Sequence, residues 1–404
     1  MNQPDVDRAD EPGGAARTRR RRRPVARRPV RAVVPRRAGA SALTSAEGGS
    51  RIGYWIFNFE PKWEAASREV EFLRESFGPT YGARMTSLDL WGERVKIRGR
   101  DKHLPLPWSL VGLPWLLRSS REVDLNHLFA SPGERLLLPR LARLERTVLT
   151  ITKKNPTLAG FERNRESLRA LRRIVVESER HADLLLQVGV EERAIRLIRP
   201  GVPREPYRPA TGPLTILFAS SPRKDDLLTR GIYLMIRVAE RMPQVRFRLV
   251  WRRNPEKVEQ LLEGLGLPNV ELVSGLVEDM KAMYDAAHAV ILPALEDGSM
   301  KPSPHSGIHG LAHGKPLLVS SRVDVAPLVR QEGCGVVFEP NVSSLARAIV
   351  ELRTRYEALQ ARAHPALERH FSQGVFLERH AELYSSLLGE PPNAADRRPR
   401  PRMA

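Results

Sequence analysis

A single cysteine, Cys334, stands among 404 residues, which excludes an internal disulfide and any cysteine-built metal cluster. It sits in an apolar Gly-Cys-Gly-Val-Val-Phe run and reads as a buried, inert thiol. No apolar run approaches the roughly 18 residues of a membrane span. The arginines near the N-terminus are not followed by the apolar stretch of a secretory leader, because residues 24–34 are broken by prolines and further arginines. The sequence therefore predicts a cytoplasmic protein. Gly333 and Gly335 precede a strand-like run instead of following one, so they make no dinucleotide fingerprint. Asp225 and Asp226 have no second acidic cluster to work with, and no metal or other cofactor is expected. No internal repeat is visible.

Acids are also few relative to bases, 47 against 66, for a formal charge of +19. Residues 1–50 hold twelve arginines against five acids, and residues 390–404 hold four against two. A chain this basic favours anionic company. Residues 1–49 are rich in Pro, Arg, Ala and Gly, include the run Arg19 to Arg23, and lack the apolar content to order themselves. They are expected to be a disordered tail able to touch an anionic membrane, at about 1 kcal/mol per basic side chain near such a surface. Residues 390–404 are expected to be a second tail.

The length leaves room for two domains. Strands are expected at Ile52–Phe57, Thr147–Thr152, Arg173–Val176 and Ile195–Ile198, with helices at Glu64–Ser76 and Ser178–Leu186. The segment 200–213 carries five prolines and two glycines, the composition of an interdomain linker. Beyond it, strands at Leu214–Ala219, Val245–Val250, Val270–Val273, Ala289–Leu292, Leu317–Val319 and Val336–Phe338 alternate with helical patterns, one of them a single helix over Ser343–Leu359. That alternation predicts a doubly wound parallel sheet.

The stretch Ala289–Ser320 organises the second half. Ala-Val-Ile-Leu reads as a strand buried on both faces, and Pro293 closes it. Ser303-Pro304 reads as an N-cap followed by proline at the first helical position, with Gly314 as the left-handed residue after the helix. A helix N-terminus at the carboxyl edge of a parallel sheet is a natural anion site. Lys301 would add a point charge to it. A solvated lysine on an ordinary loop fits the same residues.

These residues carry a family resemblance. Ile198-Arg199-Pro200-Gly201-Val202, Arg230-Gly231 opening a helix, and the Ala289 strand followed by His313-Gly314-Lys315-Pro316 resemble the retaining GT-B glycosyltransferases of the group 1 family. The resemblance implies an α/β fold of two Rossmann-like domains: residues 50–205 on the acceptor side, 206–374 for a nucleotide sugar, and a helix over 375–389 crossing back. It implies that Arg230 and the neighbouring Ser220 and Ser221 face the donor diphosphate, with Arg223 or Lys224 replacing the arginine that relatives carry. Relatives place two glutamates eight positions apart around the key helix, where this chain has Lys301 and His309. Some members carry Lys-Pro-x-Pro-x-Ser before that helix, matching Lys301-Pro302-Ser303-Pro304-His305-Ser306. Ser303, His305, Ser306 and His309 thereby join the implied donor set, the last able to hydrogen-bond a ribose hydroxyl. Relatives also carry a histidine after the strand resembling Thr147–Ile151, where Thr152-Lys153-Lys154 stand here. His127, placed after an expected strand end, is the candidate replacement. Trp63 and Glu64 lie on the loop that approaches donor and acceptor in relatives.

The leading expectation is a retaining glycosyltransferase of hexosyltransferase type acting on an unidentified acceptor. Arg230, Lys301 and His127 would carry the chemistry. Two other readings stand beside it. One is a catalytically inactive GT-B homologue that binds a nucleotide sugar or serves as a partner subunit. The other is a nucleic-acid-binding protein, which rests on charge alone and lacks aromatics interleaved with the Arg19 run.

Overall fold

Apolar runs of four to six residues become strands here because helices cover both of their faces. The computed structural model describes residues 50–389 apart from 57–58, 60, 62–63, 88–94, 98–99, 103–113, 115–116, 136, 145, 153–157, 221–226 and 253–254. The terminal tails, Trp63, Lys153, Lys154, Ser221, Arg223, Lys224, Asp225 and Asp226 thus lie outside the described residues.

The first half comprises β1 (Ile52–Ile56), α1 (Ala65–Tyr81), β2 (Arg84–Ser87), β3 (Val95–Ile97), β4 (Arg100–Lys102), β5 (Leu125–Ala130), α2 (Leu138–Leu141), β6 (Thr147–Ile151), α3 (Leu158–Arg163), α4 (Arg165–Ala170), β7 (Arg173–Val176), α5 (Glu179–Gln187) and β8 (Ile195–Leu197). Six of these strands form a parallel sheet ordered β2-β1-β5-β6-β7-β8, and β3 and β4 form a separate antiparallel pair. The second half comprises β9 (Thr215–Ala219), α6 (Ile232–Arg241), β10 (Arg246–Trp251), α7 (Glu256–Leu265), β11 (Val270–Ser274), α8 (Met280–Asp285), β12 (Ala289–Leu292), α9 (His305–Ala312), β13 (Leu317–Ser320), α10 (Ala326–Glu332), β14 (Gly335–Phe338), α11 (Val342–Thr354), α12 (Tyr356–His370) and α13 (Gln373–Leu388). Its sheet, ordered β11-β10-β9-β12-β13-β14, is parallel throughout. The expected doubly wound sheet is present, and a second one stands in the first half.

Each sheet has a core on both faces. Ile216, Phe218, Ile291 and Leu318 lie on one side of the second sheet, and Leu217, Val290, Leu292 and Val319 on the other. In the first sheet Tyr54, Phe129, Val148 and Val175 join Phe376, Leu383 and Tyr384 of α13, which packs across that face. Cys334 is buried, and burial pushes its thiol up to about 12.

Several elements differ from the sequence reading. β2 and β5 were not expected as strands. β5 is buried along its whole length, yet Leu-Asn-His-Leu-Phe-Ala carries two polar residues that hide the pattern. Asn126 accepts from Trp55 Nε1 at 2.9 Å and His127 is bonded within the core, so tertiary partners satisfy both. α1 runs past Ser76 to Tyr81 because Phe77 and Tyr81 are buried, and Gly82 ends it in the left-handed region at φ 56°. The single helix expected over 343–359 is two, divided at Arg355, whose φ of −108° and ψ of 17° leave the helical region.

The proline-rich 200–213 segment is strapped to the second half. Val202 N donates to Phe371 O at 2.8 Å and Glu205 N to Ala312 O at 2.9 Å. Buried Lys315 donates to Arg208 O at 2.6 Å and Asp285 O at 2.9 Å, and stands 5.1 Å from the Tyr207 ring. These contacts hold the segment along the C-terminal ends of α9 and α12.

Candidate functional site

α9 is where the second half presents its chemistry. Two glycines let it lie close on β12: a Cβ at Gly307 would meet Leu292 Cδ1 at 2.9 Å, and one at Gly310 would meet Val290 Cγ2 at 2.7 Å. Its N-cap is Pro304, not Ser303, and no side chain caps it. Ser303 is 1% exposed and its hydroxyl turns away to donate to Glu177 O at 3.4 Å. The capping role expected for Ser303 is therefore corrected: the chain reaches the helix one residue later, with Ser303 committed to the first half. Gly307 and Ile308 donate to Pro304 O, which leaves the His305 and Ser306 amides without an intrahelical acceptor. Gly314, at φ 68°, follows the helix end at His313.

The loop after β9 and the loop after β12 are stitched together beside this N-terminus. Gly231 caps α6 at φ 77°, and a Cβ there would fall 1.8 Å from Pro293 O, so no other residue fits. Leu295 N donates to Thr229 O at 2.8 Å. Arg230, 9% exposed, donates through Nη1 to Ser299 O at 3.1 Å and through Nη2 to the Ser220 hydroxyl. Arg230 is thus held by both loops. Lys301 is half-buried on the second loop and forms no hydrogen bond or ion pair with the described residues. Its charge reaches Glu177 and Glu69.

From the first half come groups that the sequence reading missed. Glu69, in the second turn of α1, bonds His305 Nε2 at 2.8 Å. Burial alone would raise the Glu69 carboxyl, but the hydrogen bond and charge of His305, with Lys301 and His380, hold it below its ordinary value. Burial lowers His305 despite Glu69. Glu69 and His305 thus meet as a buried, hydrogen-bonded pair bridging the two halves. Glu177, just past the end of β7, is 5% exposed and its Oε2 has no partner. Burial pushes this carboxyl up to about 8, helped by Glu69 and Asp324 and opposed by Lys301 and the Ser303 backbone. Ser178 caps α5 by accepting from His181 N and donates to Asp324 Oδ2 at 2.8 Å, while Arg180 stands 3.4 Å from Asp324 Oδ1. The signal for Glu177 was present, an acid directly after a β-branched run, but nothing in the sequence says that it is covered.

Of the other candidates, Ser306 is half-buried in the first turn and Glu64 is the exposed residue preceding α1. His309 lies with its ring centroid 5.8 Å from Tyr284 and 6.2 Å from His305, and burial pushes it down to about 3, with His305, Arg68 and His313 adding to the effect. It is a neutral imidazole facing the same end of the fold. His127 is a correction. It does not follow a strand end; it is the third residue of β5, fully buried, with Nδ1 2.8 Å from Tyr384 Oη and Nε2 2.7 Å from Thr150 Oγ1. Both ring nitrogens are used inside the core. Among the described residues no group of three or more His, Cys, Asp or Glu side chains could hold a metal ion.

The structure therefore sets a helix N-terminus, Arg230 and Lys301 at the carboxyl edge of one parallel sheet, facing Glu69 and Glu177 from the carboxyl side of another. This two-sheet arrangement decides the architecture. The chain has the GT-B fold. Residues 215–355 match the family described as Glycosyl transferases group 1. A glycosyltransferase from Rickettsia africae is similar over 84% of this chain and 99% of its own, at 14% identity and a TM-score of 0.65. Sucrose-phosphate synthase from Thermosynechococcus elongatus is similar over 83% and 99%, at 15% identity and a TM-score of 0.65. Anabaena HepE, solved in complex with UDP, is similar over 83% and 100%, at 13% identity and a TM-score of 0.63. No curated protein matches the chain by sequence. Within this GT-B chain the matched segment begins at β9 and ends after α11, so it contains Arg230, Lys301 and all of α9.

Proposed function

We propose that this protein transfers a sugar, of hexosyl type, from a nucleotide-sugar donor to an acceptor hydroxyl with retention of configuration. The observation that carries the reading is the convergence of the α9 N-terminus, Arg230 and Lys301 at one sheet edge, a fixed set of positive groups suited to a diphosphate. The match of residues 215–355 supports it, as do the HepE structures holding UDP and UDP-glucose. Arg230, oriented by Ser220 and Ser299, would meet the leaving diphosphate in a fixed pose. Lys301 and the His305 and Ser306 amides would take the charge that grows as the glycosidic bond breaks. His309, neutral, would bond a donor hydroxyl. The reading invokes no metal, because side-chain cations and the N–H groups of the helix N-terminus would supply the positive charge. The acceptor would enter from the first half, and the basic residues 1–50 would draw the protein toward an anionic membrane.

The test is a thermal-shift screen against nucleoside diphosphates and nucleotide sugars, followed by transfer assays from labelled UDP-glucose with and without EDTA. A ligand at about a hundred times its dissociation constant adds about 2.7 kcal/mol of stability. Binding with EDTA-insensitive turnover supports the proposal. Binding without any turnover would instead favour a catalytically inactive homologue, and no shift with any nucleotide would remove the donor site.

A further inference from the structure

Glu177 is a buried acid that the proposed chemistry does not use. It is 5% exposed, it follows β7 directly, and one of its carboxyl oxygens is buried with no hydrogen-bond partner. A carboxylate so placed is costly unless something neutralises it. The groups around it come from four elements. From the loop before α9 come the Lys301 ammonium and the Ser303 backbone, and Ser303 Oγ donates to Glu177 O. From α1 comes Glu69, already engaged by His305 of α9. From the loop after β13 comes Asp324, already engaged by Ser178 and Arg180. From its own side come Ser178, Arg180 and His181, the last also buried. Three carboxyls thus converge on a region where Lys301 is the cation whose charge reaches Glu177; Arg68 of α1, also without an ion pair among the described residues, acts on His305 and His309 instead.

The geometry points to Glu177 as a positioning residue for Lys301: it keeps its proton in the working protein, and so leaves the lysine charge to an anion in the cleft. The reason is electrostatic. Glu69 and Asp324 have their own donors, so a second negative charge beside them is opposed. Ionised Glu177 would be an acid without an ion pair beside Lys301 and would draw the ammonium toward itself. Neutral Glu177 leaves it oriented and unpaired. Its value of about 8 places this change just above neutral pH. The inference rests on reading Lys301 as a cation that meets the donor diphosphate.

The test is calorimetric titration of the full chain with UDP from pH 7 to pH 9, where a terminal phosphate of pKa about 6 is already ionised. Wild-type affinity should fall by roughly tenfold across that range, the scale of one charge-assisted contact. Glu177→Gln should match wild type at pH 7 and lose the fall, because the amide is a neutral isostere. Lys301→Ala should bind weakly at every pH. Lys315 is lowered to about 8 and titrates in the same window; a Glu177→Gln protein that still loses affinity at pH 9 would assign the effect to Lys315 and overturn the inference. A flat wild-type profile would overturn it as well. The proton on Glu177 has a readout of its own. Its folded value lies above the ordinary 4.5, so the folded chain holds a proton that the unfolded chain has lost, and stability is lost as pH rises from about 4.5 toward 8. Glu177→Gln should flatten that decline in melting temperature. If UDP fails to bind while this flattening is seen, the donor site is wrong and the protonated acid stands; an unaltered decline refutes the protonated acid whether or not UDP binds.

Discussion

Arg230 and Lys301 carry the same charge in different settings, and the settings separate the effects of removing them. Lys301 has no ion pair among the described residues, so Lys301→Ala should leave the melting temperature nearly unchanged and weaken UDP binding by about 1.5–3 kcal/mol, the scale of a charge-assisted hydrogen bond. Arg230 donates to Ser299 O and Ser220 from a nearly buried position. Arg230→Ala should show a similar loss of affinity and also lose about 1–3 kcal/mol of stability, because a buried acceptor is orphaned. Calorimetry with UDP and urea unfolding of both variants check this, and unchanged affinity in both would refute the diphosphate assignment. His127 tests the opposite case. His127→Leu strips a partner from Tyr384 and Thr150 and should cost at least about 2 kcal/mol of stability with UDP affinity unchanged. The residue type alone could not separate these roles. A histidine in a polar-looking hexapeptide reads as available, and only the strand register, which pairs His127 with Tyr54 and Val148, puts it in the core.

At the level of elements, the loops that hold Arg230 depend on Gly231. Its φ of 77° is strained for any other residue, and its close approach to Pro293 O excludes a side chain. Gly231→Ala should cost at least about 2 kcal/mol, read by urea unfolding, and should disturb α6 and β12 together. Helix caps provide a paired comparison. Ser372 accepts from Val375 N at the start of α13, so Ser372→Ala should cost about 1 kcal/mol. Ser303 caps nothing, and Ser303→Ala removes only the long 3.4 Å bond to Glu177 O, so it should cost less than the lost cap. Equal losses from the two would contradict the observed cap at Pro304. Element type was legible where the chain is locally consistent: Ala289–Leu292 and Arg173–Val176 have the bounds read from their apolar runs. It was illegible at β2, Arg-Met-Thr-Ser, which is a strand because β1 lies beside it.

For the molecule as a whole, buried neutral histidines and a buried neutral acid set the response to pH. His127 is well below its ordinary value, His181 and His380 are pushed down to about 4, and His309 to about 3, in each case chiefly by burial. For such bases the unfolded chain binds more protons, so their stability is present above about 6.5 and is lost as pH falls below it. Glu177 acts in the opposite sense between about 4.5 and 8. Melting temperature should therefore peak near neutral pH, and a steady rise down to pH 5 would show that the histidines are not held neutral. Deleting residues 1–45 should leave the melting temperature nearly unchanged, since a segment so rich in Pro and Arg and so poor in apolar residues cannot build a core. The sequence by itself determined the alternation of strands and helices beyond residue 214, the parallel sheet they form and the left-handed turn at Gly314. Those features follow from local propensity and from runs of apolar residues that need cover on both faces. Only the tertiary structure decided that Glu69 meets His305, 236 positions away, that Ser303 and Glu177 join across 126, and that the proline segment is strapped down instead of free. Such pairings have no local signature, because burial of a polar side chain depends on which distant element arrives to cover it.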